Sequence, residues 1–240
     1  MLIECLGAAR ESGADYVLLV TTKKLSAEIT NLANEVIPDP GCGLAEAINC
    51  GMNNLPPEIS FATWIGDDDL YEKNGLKVLA KKLETQQGFS LVYGKCVYIN
   101  SKGDYLGVNQ IGQFAGKILK YGPDLIPQPS SLFRLQDFFK VGGLNPKYKN
   151  AFDFDLFLKL KKLGKLGYIP EEISFFRWHE ESLSVDQRWR GVTEASSVRK
   201  SHLNRWVSPI SFIWEYPVIL LTFLAGKIVS LRSGARKPIP

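Results

Sequence analysis

The 240-residue chain has only two histidines, His179 and His202, and four cysteines, Cys5, Cys42, Cys50 and Cys96, none in a C-x-x-C pair. That scarcity argues against a structural zinc site, which needs four nitrogen or sulfur ligands at characteristic spacing. It predicts reduced thiols in a cytosolic protein. No internal repeat and no low-complexity segment is present. The opening MLIECLGAARESG carries acidic residues and no cleavage pattern, which predicts no signal peptide. No long uninterrupted apolar run is present either. In the most apolar stretch, Glu215 and Lys227 leave 11 residues between them, whereas a spanning helix needs about 20.

What is present is an ordinary globular composition, 45% hydrophobic and 22% charged, enough for one good-sized core or a domain with an appendage. The net charge of +4 is unevenly spread. From Asp186 onward there are nine Lys/Arg and three Asp/Glu, which leaves 20 basic and 22 acidic residues in the first 185. A mildly acidic body is a poor nucleic-acid binder, and a basic, apolar tail points to a membrane surface. The expected division is therefore a body over residues 1–205 and a tail over 206–240.

Periodicity orders the body. MLIECLGAARESG reads as a short helix closed by Gly13, and DYVLLVTTK as a buried strand. LSAEITNLANEV reads as a helix with Ser26 as a possible cap. GLAEAINCGMNNL places Leu44, Ala47, Ile48, Gly51 and Leu55 on one helical face. ISFATWI is a second buried strand, EKNGLKVLAKKLE an amphipathic helix, and FSLVYGKCVYIN a strand turning at NSKGD into a hairpin. Further on come a loop, a short strand and a short helix in PQPSSLFRLQDFFKVGGL, then a strong helix in AFDFDLFLKLKKLG ended by Gly164. A strand in YIPEEISFFRWHEESLS and a long polar helix from about Gln187 to Trp206 follow. Alternating strands and helices predict an α/β fold with a mainly parallel sheet, whose ligands bind beyond the carboxyl ends of the strands.

Asp67, Asp68 and Asp69 stand at such an end. An acidic triplet is either a solvated turn or a site for a hard divalent cation such as Mg²⁺ or Mn²⁺. On an extended segment Asp67 and Asp69 share a side, as a D-x-D pair. Asp153 shares a helical face with Leu156, Phe157 and Leu160, so it is either a general base with a tuned pKa or a helix cap. Asp155 instead pairs with Lys159 at i, i+4. His179, after a strand, is a structural residue or the nitrogen that completes a metal sphere.

Taken together, DPGCGLAEAINCGMNN, WIGDDDLYEKNGL, LVYGKCVYINSKGDYLG and the run from QPSSLFR to RWHEESLS resemble family 2 glycosyltransferases of the GT-A fold, over most of Pro38 to Ser184. The resemblance implies a mixed, mainly parallel sheet flanked by helices, with an apolar helical tail appended. It implies that Asp67, Asp68 and Asp69 bind the ribose and the metal-bound diphosphate of a nucleotide-sugar, with Asp69, Asp67 and His179 toward Mn²⁺ or Mg²⁺. Asp153 would deprotonate the acceptor hydroxyl. Gln128, Pro129 and Ser130 would lie near the transferred sugar, Gly43 and Asn49 would approach the nucleotide, and Arg177 would offset phosphate charge. The donor would be UDP- or GDP-linked.

The chain departs from the family at its start. Members open with a strand and a P-[ST]-Y-N-like turn that have no counterpart here, and Thr21, Thr22 and Lys23 replace an acidic residue that reads the base. Two functions remain in view. One is a metal-dependent inverting transferase building polysaccharide or glycolipid, its acceptor a saccharide or lipid-linked, at the inner face of the cell membrane. The other is an impaired homologue serving as a binding subunit. A nucleotidyltransferase would carry a Gly-rich, basic signature near the first strand, and none is present. In the tail, WVSPISFIWEYPVILLTFLAGKIVSLR reads as a pair of interfacial helices, as a segment packed onto the body, or as a tilted or re-entrant membrane segment; the first is the expectation. Trp206, Trp214 and Tyr216 would lie at headgroup depth, and Arg232, Arg236 and Lys237 against anionic lipid.

Overall fold

The computed structural model describes residues 1–109, 112–178 and 188–233. Helix α1 (Leu2–Ser12) ends at Gly13, whose φ of 101° lies in the left-handed region and whose N–H reaches the carbonyls of Ala9 and Arg10. Strand β1 (Leu18–Thr21), the single turn α2 (Ala27–Thr30) and β2 (Glu35–Pro38) follow. The expected helix over residues 25–36 therefore divides. Asn34 causes the break: its side-chain oxygen accepts the Val17 N–H at 2.8 Å, and its own N–H reaches the Val17 carbonyl at 2.8 Å. That clamp turns Glu35–Pro38 into a strand parallel to β1.

Helix α3 (Leu44–Asn53) buries Ala45, Ala47, Ile48, Gly51 and Met52. Strands β3 (Phe61–Ala62) and β4 (Leu70–Tyr71) flank the acidic loop. Helix α4 (Gly75–Thr85) inserts Leu76, Leu79 and Leu83. The long β5 (Phe89–Ile99) folds back as a hairpin into β6 (Tyr105–Val108), and α5 (Gly112–Ile118) follows. A 3-10 turn at Gln128–Ser130 leads into β7 (Ser131–Arg134), α6 (Leu135–Lys140), α7 (Phe152–Leu163) and β8 (Lys165–Arg177).

The main sheet runs β3-β7-β5-β8-β4, with β6 on β5, while β1 and β2 form a separate ladder. The architecture is the expected mixed α/β sheet flanked by helices. Its parallel share is smaller than the sequence suggested. Among the described residues only β1·β2 and β5·β8 are parallel, and the other four ladders are antiparallel. The helix pattern predicts parallel crossovers, but β6 returns on β5 by a tight turn, and β7, reached through α5 and the 3-10 turn, pairs antiparallel with both β5 and β3.

The core lies on both faces of the sheet. Leu91, Phe133, Phe138, Leu156 and Phe157 pack on the α3/α6/α7 face. Leu79, Leu83, Val92 and Ile173 pack on the α1/α4 face.

Beyond the body, α8 (Arg188–His202) leads to α9 (Phe212–Ser233). The tail is thus one continuous helix of 22 residues, with Pro217 inside it, and the expected interfacial pair is corrected. The sequence read Glu215 as a charge interrupting an apolar run. It is instead buried in a bidentate pair with Arg199, at 2.8 Å for each contact. With that charge turned to the body, the segment Phe212–Val229 has mean hydropathy 1.6 and is almost wholly outward-facing. By length and composition alone it could cross a membrane.

Candidate active site

The main cleft, of about 1330 Å³, opens where β1 and β3 end and is lined by Asp67, Asp68, Asp69, Gln128, Pro129 and Asp153. The acidic loop follows Gly66, where an added Cβ would sit 2.7 Å from the Asp68 carboxylate, so a side chain there would displace Asp68. The loop is a turn, closed by the Asp69 N–H on the Gly66 carbonyl at 3.4 Å. The alternation expected of an extended D-x-D pair therefore does not apply. Asp67 is exposed, Asp68 half-buried and Asp69 buried.

Asp69 accepts the main-chain N–H of Arg177 at 2.8 Å, which ties the loop to the end of β8. The Arg177 guanidinium donates to the Asp68 carbonyl at 2.9 Å and pairs with Glu4 of α1 at 3.4 Å. Arg177 is itself buried, so its cation braces the loop and does not project into the cleft. Burial, with Asp68 and Asp67 adding to it, outweighs the Arg177 contacts and pushes Asp69 up to about 7. Burial and the same three aspartates push the thiol of Cys5 up to about 12.

The donor set is hard oxygen, which suits Mg²⁺ or Mn²⁺. Among the described residues no group of three His, Cys, Asp or Glu is arranged to hold a metal ion. His179 lies outside the described residues.

Asp153 enters the cleft from the first turn of α7. The sequence left it between base and cap, and the structure gives most of the capping to another residue. Glu194 of α8 accepts the N–H groups of Lys149, Asn150 and Ala151 at 2.6–3.0 Å, closing the entry to α7. Asp153 accepts its neighbour's N–H, from Phe154 at 2.8 Å. Burial pushes its carboxyl up to about 6, opposed by main-chain hydrogen bonds and reinforced by Glu194. Asp124, half-buried, is raised well above the carboxylate range by desolvation and then by the charge of Asp153.

Other expected site residues face elsewhere. Asn49 uses both atoms of its amide on the main chain of Leu144, at 2.9 Å each, and holds the turn before α7 to α3. Neither Asn49 nor Gly43 lines the cleft. Ser130 is interior, bonded to the Lys95 carbonyl at 2.9 Å and to Ser174 at 2.6 Å. Gln128 donates to the Trp64 carbonyl at 2.7 Å and so sets the floor between β3 and the 3-10 turn.

Sequence reasoning missed Asp124, Glu194, Trp64 and the aromatic wall of Tyr98, Phe176 and Trp178. Trp64 bridges Phe133 and Phe152 at 6.0 and 6.3 Å. The wall's ring centroids lie 5.8–6.2 Å apart. The long hydrophobic strands hinted at the wall, but nothing local marked Glu194 as a cap 43 residues from its partner.

No family model and no curated protein matches the chain. Solved structures do. Residues 1–349 of S. aureus TarS align with all of this chain and 89% of theirs, at 10% identity and a TM-score of 0.56. The mannosyltransferase PcManGT from Pyrobaculum calidifontis, in complex with GDP-Man and Mn²⁺, aligns over all of this chain and 72% of its own, at 13% identity and a TM-score of 0.63. The chain thus has a glycosyltransferase fold.

Proposed function

We propose that this protein is a metal-dependent, inverting glycosyltransferase that moves a sugar from a UDP- or GDP-linked donor to a saccharide or lipid-linked acceptor. The observation that carries the reading is the meeting, in one cleft, of an acidic loop at a strand end with a half-buried carboxylate at a helix start. The fold is shared with a mannosyltransferase held with GDP-Man and Mn²⁺.

Asp69 and Asp67 would hold the cation with diphosphate oxygens, and His179 is a further candidate ligand. When bound, Mn²⁺ or Mg²⁺ would neutralise charge on the departing diphosphate. Asp68 offers a carboxylate for the ribose. Asp153, raised toward the working pH, takes the acceptor proton as the hydroxyl attacks the anomeric carbon from the opposite face. Pro129, Gln128 and the Tyr98–Trp178 wall supply the apolar and polar surfaces that orient a sugar ring.

The test is a screen of UDP- and GDP-sugars by thermal shift and turnover, with Mn²⁺, with Mg²⁺ and with chelator. A metal-dependent shift and hydrolysis with at least one donor is expected. No response to any donor with either ion refutes the reading.

The outward apolar helix α9, with Trp206 and Tyr216 largely exposed, supports a place at the inner face of the cell membrane in glycolipid or polysaccharide assembly. Flotation with anionic vesicles should carry the full chain and leave a chain ending at residue 211 behind. Equal flotation of both rules the tail out as the anchor.

A further inference from the structure

The end of the sheet opposite the acidic cleft carries the reverse charge. There β5 and β8 begin side by side, Phe89 against Lys165. A cavity of about 700 Å³ opens between them, α5 and the end of α7. Lys82, Lys117, Lys161, Lys162 and Lys165 line it, five of the 20 basic residues in the first 185, and no acidic residue does. Among the described residues none of the five has a salt bridge. Local structure uses two of them. Lys161 donates to the carbonyls of Gly116 and Lys117 at 2.6 and 3.2 Å, closing the end of α5, and Lys82 donates to the Tyr168 carbonyl at 3.2 Å. An ammonium has three donors, so each keeps at least one. Lys117, Lys162 and Lys165 are exposed. Burial and then the charge of Lys120 hold Lys161 below the usual ammonium range, as cations crowded without a counter-charge require.

Apolar side chains stand out beside these lysines. Phe114, Lys117, Ile118 and Tyr121 fall at i, i+3, i+4 and i+7 along α5 and the turn after it, and all four are exposed. Leu163, next to Lys162 at the end of α7, is exposed as well. Single exposed apolar residues are ordinary, but a row of them interleaved with lysine at a basic cavity is not. The same surface runs on into the tail. The Tyr121 ring meets Trp214 edge-on, with centroids 6.2 Å apart. Arg199 donates to the Gly122 carbonyl at 3.0 Å while pairing with Glu215, so it holds the end of the α5 turn to the start of α9. The exposed Phe212, Ile213 and Tyr216 of α9 follow.

We propose that this end of the body is a second membrane contact, with Lys117, Lys162 and Lys165 on the phosphates of anionic lipid and Phe114, Ile118 and Tyr121 at the acyl boundary. It rests on the reading of α9 as the anchor and adds what that reading lacks, a lipid-charge preference and a fixed orientation of the body. The mixed character of the surface selects the occupant. A soluble polyanion would satisfy the lysines and leave the apolar row in water. An apolar partner would bury the lysines unpaired. An anionic bilayer meets both, because lysine stems lie along apolar surface while their ammonium groups reach the phosphates. Three lysines and three apolar side chains are too few to hold the body alone, so a chain without α9 still stays behind. Strand β8 runs 13 residues from this end to the loop of Asp69, about 40 Å of strand. The acidic cleft therefore stays clear of the lipid contact, and both can be occupied together.

The experiment measures binding of the full chain to vesicles of phosphatidylcholine alone and of phosphatidylcholine and phosphatidylglycerol in equal parts, at low salt. Lys117→Gln/Lys162→Gln/Lys165→Gln is compared with Lys73→Gln/Lys102→Gln/Lys147→Gln, which makes the same change of charge at exposed lysines outside the cavity. Parent and variants should bind neutral vesicles alike, through α9. On anionic vesicles the first variant is expected to bind about 100-fold more weakly than the parent, at about fivefold per lysine near the leaflet. The second should stay within about threefold of the parent. Equal loss in the two variants, or none in the first, overturns the contact while α9 remains the anchor. A parent that binds neither vesicle overturns both readings. Amide exchange locates the contact: anionic vesicles should protect residues 113–121, and soluble glycerol phosphate should not. Equal protection by glycerol phosphate overturns the lipid surface in favour of a soluble phosphate ligand.

Discussion

Asp153→Asn separates catalysis from stability. Asn has the same shape and can still accept the Phe154 N–H, so the substitution removes charge and basicity alone. A general base contributes about 10²–10⁴ in rate, and turnover should fall by that much while donor affinity holds. Stability should move the other way. The folded pKa of about 6 stands above the ordinary aspartate value of 3.8, so the fold favours the protonated acid. A raised acid contributes its stability at low pH and loses it as pH rises through the folded value. At pH 7 the ionised carboxylate costs up to about 3 kcal/mol by the linkage relation, and about 1–2 once solvent reaching a half-buried group is allowed for. Asn escapes that cost. At about 2–4 °C per kcal/mol for a chain this size, its Tm should exceed the parent's by about 2–8 °C at pH 7.5. The difference should vanish near pH 4. Over the same range the parent's kcat should rise with pH, about a tenth of its maximum at pH 5 and nine tenths at pH 7. A variant that keeps turnover refutes the base, and a Tm gain independent of pH refutes the buried-charge argument.

Asp69→Asn should abolish metal-dependent donor binding as well as turnover, since Asp69 is the buried member of the loop; isothermal titration with donor and Mn²⁺ reads it, and unchanged affinity excludes Asp69 as a ligand. Arg199→Met leaves Glu215 buried without its partner and should cost about 3–5 kcal/mol in urea unfolding, with Arg199→Met/Glu215→Leu recovering most of it. Burial would raise Glu215, but the Arg199 and Ser196 hydrogen bonds hold it below the usual range, so the pair's contribution is present above that range and lost as pH falls through the folded value. Glu194→Ala strands three N–H groups ahead of α7 and should lower stability by about 1–3 kcal/mol, together with kcat through a loosened Asp153; an unchanged Tm removes Glu194 as the cap.

What could be read from the sequence were features whose cause is local. Helix α7 follows from a 3.6-residue apolar period, and α1 ends at Gly13 because its left-handed backbone favours glycine; Gly164, which ends α7 in extended backbone, is required by its close approach to Gly88 and Ser90. The position of Asp67–Asp69 at a strand end follows from the apolar run before them. What could not be read depends on partners far along the chain. Residues 31–36 have helical composition, yet Asn34 bonds across 17 positions to Val17 and makes a strand. Lys159 was legible as the i, i+4 partner of Asp155. His202, 47 residues on and 2.7 Å away, was not, and it makes the pair a buried cluster where a surface bridge was expected. Glu215 looked like a break in the tail because Arg199 is 16 residues earlier in another helix.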